Sequence, residues 1–249
     1  MSPPMFLVSE LPAGGAYTLD GPEGHHAANV QRLGVSERLL LGDGRGGMAS
    51  AVVTTVGRAD LGVTINDRWY VEPPRPRLVV AQGIPKGDRA ELAVQIMTEV
   101  GVDEIVPWAA ARCVAIWRGD RAAKARDKWA ATAREATKQA RRPWLPVVAE
   151  SAVSTAAIAT RTADLVGTTP PGAVFVLDED ASTPLTVVPL PPVGDIVIVV
   201  GPEGGIAPEE LVTLMAVGAV PVRLGPHVLR TSTAGAAALS ALATRLGRW

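Results

Sequence analysis

The pattern of apolar positions changes character at a proline-rich connector, Glu-Pro-Pro-Arg-Pro-Arg, at residues 72–77. Before it, short apolar stretches alternate with glycine turns. Residues 38–57 read as a strand, a turn across Gly42–Gly47 and a second strand, and Thr64, Ile65, Trp69 and Val71 mark another. Residues 21–35 are the one short helical stretch in this part. Short strands this close together predict a small barrel or curled sheet. After the connector, "LVVAQGI" at 78–84 is a buried-type strand, and residues 86–108 predict a helix and then a strand. Asp88, with Glu91 three positions on, has the spacing of a capping box. Leu92, Ile96, Met97 and Val100 form that helix's apolar stripe, and Gly101 is placed to end it. Strand-like runs at 172–180 and 195–200, a helix near Pro208, a short strand at 220–225 and a terminal helix from about Thr231 continue the alternation. Such alternation predicts an α/β fold with a parallel sheet. The division expected is residues 1–72 and 73–249, with no internal repeat.

Composition narrows the class. Of 249 residues, 47% are hydrophobic but only 4% aromatic, so Val, Ala, Leu and Ile must fill the core. A single cysteine, Cys113, excludes an internal disulfide and a multi-cysteine zinc site, and reads as a buried thiol. Three histidines argue against a histidine-rich metal site. The first residues lack a basic and apolar leader, and no apolar run approaches the roughly 18 residues of a membrane span. A soluble cytoplasmic protein with no metal and no membrane is expected. Charge is uneven: residues 1–72 carry five Arg and no Lys against eight acidic residues, whereas 118–142 carry nine basic residues against three acidic.

The candidate chemistry lies where apolar runs end. Ile196–Val200 breaks into Gly-Pro-Glu-Gly-Gly before a helix. Glycine after a buried strand lets backbone approach a ligand, and open α/β sheets bind ligands beyond their strands' carboxyl ends. Neither a Walker loop nor a G-x-G-x-x-G fingerprint is present. A tight turn packed for its own sake is the alternative. The segment 222–239 repeats the logic, with a short strand, a Leu-Gly-Pro turn and a helix opening on Thr231, Ser232, Thr233, Ala234, Gly235 and Ala236. Two such turns within the last 50 residues suggest one pocket.

The pair "VGPEGG" and "LGPHVLRTSTA" resembles the RsmE-type ribosomal RNA methyltransferases of the SPOUT superfamily. "HHAANVQRLGV", "PKGDRAELAVQIMTEVGV", "RCVAIW" and "KWAATAREATKQARR" are similar to further blocks of that family, in the right order along nearly the whole chain. The resemblance implies a PUA-like β-barrel at 1–72 for RNA recognition, and at 73–249 a SPOUT-type α/β domain with a deep trefoil knot. It implies a homodimer that uses S-adenosyl-L-methionine to methylate uridine N3, at position 1498, in 16S rRNA of the assembled small ribosomal subunit. Cofactor contacts then fall on Leu177, Asp178, Gly201, Glu203, Gly204, Gly205, Leu224, Gly225, Val228, Leu229 and Thr231.

For the reaction, uridine N3 must lose its imide proton while charge spreads onto the uracil oxygens. Arg230 is expected to stabilise that charge or grip the target phosphate; a buried structural ion pair is its other reading. Glu203 is a site residue that either takes the proton or caps the following helix. This chain departs from the family at Ser232, where a glutamate is usual, so a general base at that position is untenable. His227 and Met5 stand where arginines are usual.

RNA contact is expected from Lys124 and Lys128, which share a helix face with Arg121 opposite the stripe Trp129, Ala133, Ala136 and Ala140. Arg141 and Arg142, Lys86 and Arg89 at the KGDR turn, and His25, His26 and Arg32 in the first domain complete the set. A solvated charged face is the plain alternative for the helix. Methylation of another RNA, and a non-catalytic RNA-binding ribosome-assembly protein, are the competing functions.

Overall fold

The computed structural model describes residues 2–249. Strands β1 (Met5–Leu7), β2 (Gly15–Leu19), β3 (Arg38–Gly42), β4 (Gly47–Val56) and β5 (Leu61–Tyr70) form a sheet in the order β1-β3-β4-β5-β2, in which only β1 and β3 run parallel. Helix α1 (Gly21–His25) runs into a π-helical turn, His26–Val30. Phe6, Leu39, Leu41, Ala51 and Val63 form this sheet's interior. The predicted glycine turn joins β3 to β4, and Gly44 and Gly46 adopt φ of 70° and 95°, where a side chain would strain the backbone.

The second sheet is wholly parallel. Strands β6 (Leu78–Gly83), β7 (Glu104–Trp108), β8 (Val147–Val148), β9 (Ala173–Leu177), β10 (Ile196–Val200) and β11 (Val220–Val222) lie in the order β11-β9-β10-β6-β7-β8. Its helices are α2 (Arg89–Val100), α3 (Asp120–Gln139), α4 (Thr155–Gly167), α5 (Pro208–Met215) and α6 (Thr231–Arg245). Unbroken apolar runs follow from two covered faces. Ile196, Ile198 and Val200 of β10 pack on the side of α2, α3 and α6, while Val197 and Val199 pack on the side of α4 and α5. Among the described residues no helix is long and apolar enough to cross a membrane.

The chain forms two compact units. One runs to Pro73 and also takes in Thr137–Leu145; the other comprises Pro74–Ala136 and Pro146–Trp249. Within the first unit, Gly46 N–H donates to Pro143 O, Leu145 N–H donates to Gly44 O, and the Trp144 indole donates to Val71 O at 2.8 Å. Placing 137–145 there alters the charge argument, because Lys138, Arg141 and Arg142 offset the acidic excess of residues 1–72.

Three local expectations change. Asp88 sits at φ −65°, ψ −10°, already helical, so its side chain makes no cap, and Glu91 instead pairs with Lys128 at 2.9 Å. On α2 the buried face is Ala90, Ala93, Val94 and Met97; Leu92 is exposed, and Ile96 and Val100 are only partly covered. Gly101 does end the helix, at φ 108°. On α3 the stripe stops at Ala136, because the helix ends at Gln139 and Ala140 is exposed. Cys113 is half-buried rather than enclosed; burial pushes its thiol pKa up.

Glu104, at the start of β7, pins the sheet's amino-terminal edge. Its carboxylate accepts from Arg161 at 2.6 and 3.0 Å and from Arg77 at 2.9 Å, and Arg77 also reaches Asp195 at 3.3 Å. Burial pushes this carboxyl upward, but the Arg161 and Arg77 hydrogen bonds and charges outweigh it and hold the pKa below its ordinary value. A lowered folded-state pKa adds stability above the unfolded value, roughly 4.3, and loses it as pH falls through the folded value. Glu104→Gln should therefore cost about 1–2 kcal/mol at pH 7, discounted because both arginines are 38% exposed. Urea unfolding at pH 7 and again in strong acid checks this: the gap between wild type and variant should close in acid.

Candidate functional site

The order of the second sheet reverses between β6 and β10. The chain leaves β6 towards β7 on one side and β10 towards β11 on the other, which opens a crevice at the carboxyl ends of these strands. Gly83 ends β6 there. A Cβ on it would lie 2.6 Å from Pro202 N, so the backbone approach requires glycine. Gly201–Gly205 follows β10, Leu177 and Asp178 end β9, and Leu224–Arg230 follows β11. These four neighbouring strand ends gather the sequence-predicted cofactor residues at one end of the sheet.

One hydrogen-bonded chain ties the two glycine turns. Gln82, on β6 and fully buried, donates through Nε2 to Thr231 Oγ1 at 2.9 Å and to its neighbour's Gly83 O at 3.0 Å. The Thr231 hydroxyl in turn donates to Gly201 O at 2.6 Å. The Thr231 hydroxyl thus both accepts and donates within this chain. Among the described residues, Gln82 Oε1 is buried without a partner. Sequence reasoning passed over Gln82, although a lone polar residue inside an apolar strand was its signal.

The remaining turn is held from both sides. Glu203 Oε1 accepts the Lys86 backbone N–H at 3.0 Å, and Gly204 O accepts from Arg112 Nη1 at 3.1 Å. Glu203 does not cap α5. That role belongs to Glu210, which accepts from Ala207 N at 3.2 Å, Ala111 N at 2.9 Å and the Thr155 hydroxyl at 2.6 Å. Asp178 folds onto itself, accepting from Asp180 N at 3.2 Å.

The loop after β11 differs in kind. Val228, Leu229 and Arg230 are exposed, and Leu224 and Gly225 half-buried. Among the described residues, the N–H groups of Gly225, His227, Val228, Leu229 and Arg230 donate to no protein acceptor. Exposed apolar side chains beside free backbone donors suit a ligand with both apolar and polar parts. Arg230 precedes α6, and its carbonyl accepts from Thr233 N and Ala234 N. Its side chain is exposed, so the buried-pair reading does not apply. Ser232 is 2% exposed and belongs to the packed face of α6.

This chain matches the family described as RNA methyltransferase domain over residues 72–243, and the RNA methyltransferase PUA domain over residues 19–64. It belongs to this RNA methyltransferase family. The ribosomal RNA small subunit methyltransferase E of Mycobacterium bovis is 45% identical over 246 residues, covering 98% of this chain and 93% of that protein. The Bacillus subtilis protein of the same name is 30% identical, with 91% and 89% covered. Among solved structures, the Neisseria gonorrhoeae ribosomal RNA small subunit methyltransferase E bound to S-adenosyl methionine superposes with a TM-score of 0.83, at 27% identity and 98% coverage of both chains.

For an RNA methyltransferase, the placement of the basic residues matters next. Arg121 and Lys124 are exposed on α3, while Lys128 is occupied with Glu91. Lys86 and Arg89 are exposed beside the strand ends. In the first unit, His25 is exposed and shares a hydrogen bond with Asn29, whereas His26 packs edge-on to Phe6, with ring centroids 6.1 Å apart. The two histidines therefore do not act together. Arg32 is exposed at φ 55°, Arg141 reaches Ser2 O at 3.3 Å, and Arg142 is half-buried.

Proposed function

We propose that this chain methylates N3 of uridine 1498 in 16S rRNA, as a cytoplasmic homodimer acting on the assembled small ribosomal subunit. Its membership of the family and its likeness to the named relatives make it an S-adenosylmethionine-dependent methyltransferase of small-subunit rRNA. The PUA-like unit is read as a closed barrel, and the crevice as the edge of a trefoil knot. The observation that carries the reading is the Gln82–Thr231–Gly201 chain, which ties the first glycine turn to the residue that opens α6 after the second.

When bound, S-adenosylmethionine supplies an electrophilic methyl group. The backbone of Gly201–Gly205 and of Leu224–Leu229 would hold it, with Leu177, Leu224 and Val228 against its apolar parts. Arg230, exposed where α6 begins, would stabilise negative charge on the uracil oxygens as N3 loses its proton. Glu203 uses one oxygen on Lys86 N–H and offers the other to that proton.

The test is methyl transfer from labelled cofactor to small subunits that lack the modification, followed by nucleoside analysis. N3-methyluridine is the expected product. Label on a different nucleoside, or on transfer RNA alone, would replace the substrate assignment. Cofactor binding without any transfer would favour the assembly-protein reading that Ser232 keeps open.

A further inference from the structure

The first unit carries a polar pocket of roughly 400 Å³, remote in sequence from every residue assigned to the cofactor. Glu10, Asp43, Arg45, Gly47, Arg68 and Tyr70 line it. Its size falls within the roughly 300–1,000 Å³ of small-molecule sites. Register explains the grouping: Gly47 pairs with Tyr70 and Ala49 with Arg68, so Arg68 and Tyr70 share one face of β5 with Gly47 across from them.

Its cations are fixed in place. Arg45 Nη2 donates to Ser9 O at 2.7 Å and Arg68 Nη1 to Ala13 O at 3.1 Å, so each guanidinium is anchored by an uncharged carbonyl and keeps its full charge and other donors. Asp43 Oδ1 is held within its own turn, accepting from Arg45 N at 2.7 Å and Gly47 N at 3.0 Å, and its carboxylate adds a second acidic group to the wall. Tyr70 is 56% exposed in a chain with few aromatic residues. Its ring is set by an edge-on contact with Trp144, at 6.1 Å between centroids, and Trp144 is itself pinned by its bond to Val71 O.

We infer that this pocket takes an unpaired nucleotide of the rRNA substrate, with its base on the Tyr70 ring and its polar groups on Arg45, Arg68 and Glu10. An exposed aromatic ring between anchored arginines is the chemistry that holds single-stranded RNA. A bare phosphate is a poorer occupant, because Glu10 lies on the wall; a base edge, which offers donors as well as acceptors, uses both signs of charge. The inference rests on the rRNA substrate.

The experiment measures binding of wild-type protein, Tyr70→Leu and Tyr70→Phe to small subunits lacking the modification, with S-adenosylmethionine affinity and thermal melting in parallel. Leucine keeps apolar cover for Trp144, and phenylalanine keeps the stacking ring. Tyr70→Leu should bind the subunit roughly tenfold more weakly, with cofactor affinity and melting unchanged, and Tyr70→Phe should restore most of it. Arg45→Gln with Arg68→Gln should also flatten the salt dependence. Equal subunit binding by folded Tyr70→Leu and wild type overturns the pocket. Failure of the wild type itself to bind would overturn the rRNA reading, and the pocket with it.

Discussion

Arg230→Ala should lower kcat by roughly 100- to 1,000-fold while S-adenosylmethionine affinity stays within about twofold. The asymmetry follows from how the residue is held. Its backbone starts α6, with φ −64°, ψ 148° and a carbonyl that accepts from Thr233 N and Ala234 N. Alanine keeps all of that. The side chain is exposed and has no acidic partner among the described residues, so its removal costs the fold little, within about 0.5 kcal/mol. On the proposed mechanism, what is lost is the positive charge that stabilises the base as it gains negative charge. Arg230→Lys keeps the charge but not the planar fork, and should fall between the two. Single-turnover kinetics with separate cofactor titration make the measurement. Parallel losses in turnover and cofactor affinity would mean that Arg230 holds the cofactor, and an unchanged kcat would make it a surface residue.

Much of the second sheet could be read from its strands, because a parallel strand covered on both faces has to be apolar throughout. The segment Ile196–Val200 is such a case, and all five residues are buried. Where local signals competed, the reading failed. Asp88 and Glu91 have capping spacing, but Lys128 on α3 draws Glu91 away, which no local pattern reveals. Leu92 looked like core because it is large, yet α2 packs through Ala90 and Ala93, since small residues let α6 come close. Helix α4 escaped notice because alanine and threonine dominate Thr155–Gly167 and its apolar signal is thin, although Ser154 caps it by accepting from Ala157 N at 3.3 Å. Membership of 137–145 in the first unit is a long-range fact that periodicity cannot carry. At the site itself, the glycine turns were visible in sequence and their connection was not, since it runs through one amide 149 residues away from Thr231.

That amide supports the second large effect. Gln82→Ala should weaken S-adenosylmethionine binding roughly tenfold, and Thr231→Val should do nearly the same, because each removes a link of the chain that ends on Gly201 O. Loss of Gln82 leaves the Thr231 hydroxyl bonded to Gly201 but free to rotate. Loss of the hydroxyl leaves a buried Gln82 N–H and the Gly201 carbonyl each without their shared partner, Thr231 Oγ1. Because the two changes damage one network, their effects should not add: the double variant should bind only slightly more weakly than either single one, with a coupling of about 1 kcal/mol or more. Gln82→Glu makes the sharper test. It preserves shape at a fully buried position but replaces the donor with an acceptor, so it should lose affinity and melt at a lower temperature than wild type. Calorimetric titration of the cofactor against the four proteins reads the cycle. Strictly additive losses would mean that Gln82 and Thr231 act separately, Gln82 as core filler and Thr231 on the turn. Non-additive losses at unchanged kcat under saturating cofactor would place the whole effect in the shape of the turn and leave the chemistry to Arg230.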